Sequence, residues 1–147
     1  MINFKVIKPK DDSEDDMTVT FKEKIGYASS YWHLLEMKHS SNEHNYVVKK
    51  LMVKMLKSWK SILESNLDLH NKLLVFDQSD QHLCGFHFSK DKITYSIYLE
   101  DWSIMYDTYY IEIDDSSLIT DFVLDGYNKK AFLRDIDVNI QHLNQEE

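Results

Sequence analysis

Three groups of side chains in this chain have the types that do chemistry, and their spacing decides what each can support. His33, Glu36 and His39 stand three residues apart, so a helix would gather them within about 120° of arc. Glu-x-x-His is a metal-binding unit of di-iron bundles, which need a second copy and further glutamates on facing helices. Here the unit occurs once, and no His-Glu-x-x-His run or cysteine pair supplies a zinc site. His82, Cys84 and His87 form the second group. On a strand His87 points opposite to the other two, so a shared metal would need a bulge. Cys84, the one cysteine, reads as a small buried hydrophobe rather than a nucleophile. No metal and no cofactor are expected.

The third group is the carboxylates. Ile93 to Asn128, 36 residues, contains Glu100, Asp101, Asp107, Glu112, Asp114, Asp115, Asp121 and Asp125 and no Lys or Arg. Hydrolases use two carboxyls as acid and base. With eight acids in one stretch, a pair at workable distance arises by chance and marks no active site. There is no Gly-x-Ser-x-Gly elbow and no glycine-rich phosphate loop. Asp11 to Asp16 lacks the glycine and glutamate of a calcium loop. The acidic stretch is then a solvated face, a field for a cationic partner, or the carboxylate source of a small hydrolase or ligand-binding domain working with His33 or His39.

The rest of the chain bounds these options. Its 147 residues carry 25 acidic and 17 basic side chains, a net charge of −8, and 13% aromatic residues. That size and aromatic content suit one folded domain over residues 1–147. Up to Phe76 there are twelve basic and ten acidic side chains; after it there are five and fifteen. The acidity belongs to the second half, and it disfavours nucleic acid as a partner. A lone cysteine and the absence of a long apolar run in Met1 to Lys10 point to a reducing, cytoplasmic setting. No stretch approaches the ~20 apolar residues of a membrane span.

Ile2 to Ile7 and Met17 to Ile25 alternate as strands, joined by a charged, mobile connection from Asp11 to Asp16. Tyr27 to Met37 suits either a strand or a short helix. Asn42 to Glu64 reads as a helix behind the capping-box pair Ser40 and Glu43. Val48, Leu51, Met52, Met55, Leu56, Trp59, Ile62 and Leu63 share an arc of about 140°, with Lys49, Lys50, Lys54, Lys57 and Lys60 on another. Trp59 and the methionines are therefore core. Lys72 to Gln78, His82 to Ser89, Ile93 to Leu99, Thr108 to Asp114 and Leu118 to Leu124 predict an antiparallel meander. Asn128 to Leu143 places Phe132, Leu133, Ile136, Ile140 and Leu143 on one helical arc, although Ile136, Val138 and Ile140 also alternate. The expected fold is α+β: an antiparallel sheet with the long amphipathic helix and the C-terminal helix packed on one face.

Period two then sorts the acidic strands. Ile93, Tyr95, Ile97 and Leu99 face the core, opposite Thr94, Ser96, Tyr98 and Glu100; Tyr109, Ile111 and Ile113 lie opposite Tyr110, Glu112 and Asp114. The outer side would mix tyrosines with carboxylates, with Tyr98, Trp102, Tyr106 and Tyr110 as binding anchors among Glu100, Asp101, Asp107, Glu112 and Asp114. Each ring could instead close the core at a sheet edge, Trp102 above all.

A small acidic α+β chain with tyrosines along Glu100 to Asp125 resembles the immunity proteins that accompany bacterial polymorphic toxins, including contact-dependent inhibition systems. The resemblance implies a stoichiometric inhibitor that binds a toxin domain, often a basic nuclease, and blocks its active site. Nuclease surfaces are cationic because they hold phosphates, so a carboxylate-and-tyrosine face suits the same groove. Other uses of the chain are the carboxylate-dependent enzyme and a module whose aromatic face mates with a second copy.

Overall fold

The structure, a computed structural model, describes residues 1–9, 15–30, 44–78, 82–90, 92–99 and 109–145. The chain divides into two compact units, Met1–Lys57 with Arg134–Glu147, and Ser58–Leu133. Two helices, α1 (His44–Glu64) and α2 (Lys129–Gln145), each contribute residues to both units. The fold is α+β.

In the first unit, β1 (Asn3–Val6), β2 (Met17–Phe21) and β3 (Lys24–Ala28) make an antiparallel sheet. Phe4 lies opposite Val19, and Met17 opposite Ala28, all four buried. The run Met17 to Ile25, read from its alternation as one strand, folds back at Lys22 and Glu23. Lys22 takes the left-handed turn at φ 53° without glycine, so composition did not mark it. Asp16 also departs from expectation. It is buried, and its carboxylate accepts hydrogen bonds from the Ser30 amide at 2.8 Å and from the Ser30 hydroxyl. Paired in this way, a carboxylate tolerates the interior.

The C-terminal part of α2 closes β1 on the side away from β2. Asp135 and Asn139, one turn apart and both buried, interrupt the apolar stripe of Ile136 and Leu143. The Ile2 amide donates to Asp135 Oδ2 at 3.0 Å, and the Phe4 amide donates to Asn139 Oδ1 at 2.9 Å. Asn139 Nδ2 donates to the carbonyls of Ile2 at 2.8 Å and Asp135 at 2.7 Å. Two side chains thus stand in for a neighbouring strand and satisfy a sheet edge that would otherwise be open. Asn139→Leu preserves volume but strands Ile2 O and Phe4 N, and should lower stability by about 2–4 kcal/mol. Urea unfolding would show a lower midpoint with an unchanged slope; a loss under about 0.5 kcal/mol would mean that water replaces the amide.

In the second unit, β4 (Lys72–Gln78), β5 (His82–Phe88), β6 (Ile93–Leu99), β7 (Tyr110–Glu112) and β8 (Leu118–Val123) form an antiparallel sheet in the order β7-β4-β5-β6-β8. The meander holds from β4 to β6. After it, β7 returns to the outer edge of β4 and β8 pairs with β6, so Ile113 to Ser117 carry the chain from one edge of the sheet to the other. Tyr109, held at φ 60° just before β7, accepts through its carbonyl from the Val75 amide at 3.1 Å and Trp59 Nε1 at 3.2 Å.

One face of this sheet carries Leu74, Phe86, Tyr95 and Phe122 side by side in register. Trp59 of α1 and Phe132 of α2 meet Phe86 edge-on, at centroid distances of 5.7 and 5.1 Å, and Phe88 meets Phe132 at 5.0 Å. Helix residues therefore cover this face, and Trp59 is core, as its helical position predicts. The opposite face is not bare. Leu73, Val75, Leu83, Tyr98 and Ile111 form a second buried cluster there, with Ile113 of the edge-to-edge connection packed against it.

Candidate interaction surface

Glu112, Asp114, Asp115, Asp121 and Asp125 are all exposed, spread over β7, the 3-10 turn Asp115–Ser117, β8 and the turn that follows. Among the described residues none of them is joined to a cation by an ion pair. Lys72 is the cation that register sets directly across from Glu112, and its ammonium donates to Asn71 Oδ1 at 3.2 Å. Asp114 has a structural role as well. Its Oδ1 accepts from the Ser116 amide at 3.0 Å, capping the 3-10 turn. Hydrogen bonds from the Ser116 backbone and then its side chain hold this carboxyl below the usual range.

The anchors expected on the outer face fare differently. Tyr110 is half-buried in β7 and stands in register with Leu74, so it shares the face that the helices cover rather than the outer one. Ile111, expected on the same core side as Tyr95, belongs to the cluster on the opposite face; burial alternates along β7 as period two predicts, with the faces reversed. Tyr98 is a correction: it is 3% exposed, one member of the second cluster. Thr94 and Ser96, assigned to the same outer face, are also buried, with their hydroxyls 2.8 Å apart. Leu99, assigned to the core, is 57% exposed. Tyr98 is buried because Leu73, Val75, Leu83 and Ile111 of the neighbouring strands pack with it, and Ile113 packs against the group, so this side of the sheet is interior as well. Burial, with Asp115 and then Asp121 nearby, pushes the Tyr98 hydroxyl above its ordinary pKa, against an opposing hydrogen bond with Ser96. Tyr98 therefore keeps its proton and works as a packed ring. Glu100, Asp101, Trp102, Tyr106 and Asp107 lie outside the described residues.

β8, which carries Asp121 and is flanked by Asp115 and Asp125, also exposes apolar groups. Leu118, Ile119 and Val123 of β8 are 39%, 47% and 41% exposed. The sequence marks this strand, but its position at a sheet edge follows from long-range pairing that local pattern does not carry.

Other candidate chemistry is weaker. His33, Glu36 and His39 lie outside the described residues, and among those described no group of three His, Cys, Asp or Glu side chains could hold a metal. In β5, His82 and Cys84 share one face, while His87 takes the other and sets its Nε2 2.7 Å from the His70 carbonyl. Burial, with a contribution from Asp77, pushes the Cys84 thiol up to about 12. Such a thiol is almost wholly protonated at neutral pH and a poor nucleophile. A cleft of about 440 Å³ lies among Leu69, Phe88, Ile93 and Tyr127, with Lys90, Lys92 and Lys129 on its walls. Its lining carboxylate, Asp68, accepts from the His70 amide at 3.0 Å, and the cleft does not bring together the acid pair that a hydrolase uses.

Compared with known family models, curated proteins and solved structures, the chain matches none.

Proposed function

We propose that this chain is a non-catalytic binding protein of the immunity type, which docks a basic toxin domain in the cytoplasm and occludes its active site without a cofactor. The observation that carries this role is the β8 edge of the sheet: the exposed carboxylates Asp115, Asp121 and Asp125 lie on or beside one strand, within a 36-residue stretch that contains no Lys or Arg, while Glu112 stands at the opposite edge. Carboxylates in that number set up a negative field that accelerates encounter with a cationic protein and repels nucleic acid. The exposed apolar groups of β8 supply short-range contact once the partner has arrived. A nuclease domain fits the field, because the groove that binds phosphates must itself be cationic. Among the described residues no helix is long and apolar enough to cross a membrane.

The test is capture. Immobilised full-length chain, exposed to extract of its native cell at low ionic strength, should retain a basic protein and release it as salt rises. Co-expression should then suppress that protein's toxicity. Retention of an acidic or salt-insensitive partner, or toxicity unaltered by an excess of this chain, would overturn the proposal. A carboxylate-dependent hydrolase is the alternative, and a pocket that joins two exposed acids is the feature it would require.

A further inference from the structure

We propose that β8 is a docking edge for an extended cationic segment of the partner, which adds to the five-stranded sheet as a sixth strand. This rests on the cationic-partner role above and specifies how the acidic surface is engaged.

The backbone argues first. Among the described residues β8 pairs with β6 alone and ends the sheet. The Leu124 amide donates to the Ile93 carbonyl at 2.9 Å, while Phe122 stands opposite Tyr95 and Thr120 opposite Ile97. Antiparallel pairing alternates, so the even-numbered residues direct their N–H and C=O groups to β6, and Asp121 and Val123 direct theirs away from the sheet. Contrast β1, whose outward groups are met by Asp135 and Asn139. Among the described residues, dedicated side chains close the β1 edge and none closes the β8 edge.

Side chains then select the occupant. Asp121 and Val123 project from one face of β8, in register with Ser96 and Thr94, and both are exposed. Asp115 and Asp125 flank the strand at its two ends. A second copy of the chain, pairing edge to edge, would bring these carboxylates against their equivalents, and each chain carries a net charge of −8. Like charges set across neighbouring strands repel, which is how natural sheet edges avoid self-association. The same carboxylates attract a strand whose Lys or Arg lies across from Asp121 and whose apolar side chain lies beside Val123. Negative charge thus excludes the copy and admits the basic segment, while the outward amides supply main-chain hydrogen bonds, as in other cases of strand addition.

The probe is an end-blocked heptapeptide, Val-Thr-Lys-Thr-Val-Thr-Lys, added to the full chain at low ionic strength and compared with the same peptide methylated at every backbone nitrogen. Methylation keeps the charge and removes the strand-forming donors. The unmodified peptide should slow amide exchange of Asp121 and Val123 at least tenfold, leave Thr120 and Phe122 unchanged, and bind at least tenfold more tightly than the methylated one. Equal binding of both peptides with no protection of Asp121 and Val123 would overturn strand addition while leaving the cationic docking surface standing. Failure of both peptides to bind would overturn both. Protection that rises with protein concentration in the absence of peptide, alongside a dimer in sedimentation, would assign the edge to a second copy and overturn the proposal.

Discussion

Gly85→Ala should destabilise the chain by about 4 kcal/mol or more, a large part of the 5–15 kcal/mol that holds a domain of this size together. A Cβ at this position would fall 2.0 Å from the Leu74 carbonyl oxygen, 2.9 Å from its carbon and 3.1 Å from Val75 Cα. All three are backbone atoms of β4, so no side chain can rotate out of the way. The strands would have to part, and β4 to β5 is one of the two inner pairings of the sheet. Gly85 stands opposite Val75 on one side and Ser96 on the other, and Ser96 stands opposite Asp121. Displacement would therefore pass along a single row to the exposed edge. Gly126→Ala is the natural control: Gly126 has φ 78° but open space around it, so its loss is conformational and about 1 kcal/mol. Chemical unfolding of both variants separates the two causes, and a Gly85→Ala loss no larger than that of Gly126→Ala would refute the close approach.

The helices were legible in sequence because their signal is local. The apolar arc from Val48 to Leu63 is enough to place α1, and the structure buries Val48, Leu51, Met52, Met55, Leu56, Trp59 and Leu63 along it. In α2 the same periodicity locates Phe132, Ile136 and Leu143 but passes over Asp135 and Asn139, since a polar residue on an apolar stripe reads as noise until β1 is seen beside it. Strand faces were less legible. Alternation separates the sides of β6, yet it does not tell that both are buried: Tyr98, outward by period, lies in the second apolar cluster. Lys22 and Glu23 make a hairpin turn with none of the residues that usually announce one. As for the surface, charge told correctly that Glu112, Asp114, Asp115, Asp121 and Asp125 would be wet, because five unpaired carboxylates cannot be buried. That β8 is an edge depends on β7 returning to β4, a pairing between residues distant in the chain.

Reversing two acids that flank β8, in the double variant Asp115→Lys and Asp125→Lys, should slow association with the cationic partner by about 10- to 100-fold at low ionic strength. Both side chains are exposed, so the fold should tolerate the change. The two substitutions move the local charge by four units in the direction that opposes a basic protein. Encounter is governed by that field over distances of order the Debye length, which falls to about 3 Å at 1 M salt, so the variant and the parent should converge there. Dissociation should change less, because rim charges act mainly on approach. Net charge alone could produce some slowing. Glu23→Lys with Glu64→Lys alters the total equally at two other exposed positions and isolates the contribution of place. Stopped-flow rates across a salt series for the parent and both variants decide the matter. If the two doubles slow equally, the chain attracts its partner by overall charge and the acidic edge at β8 loses its special standing; if neither slows, electrostatic docking fails altogether.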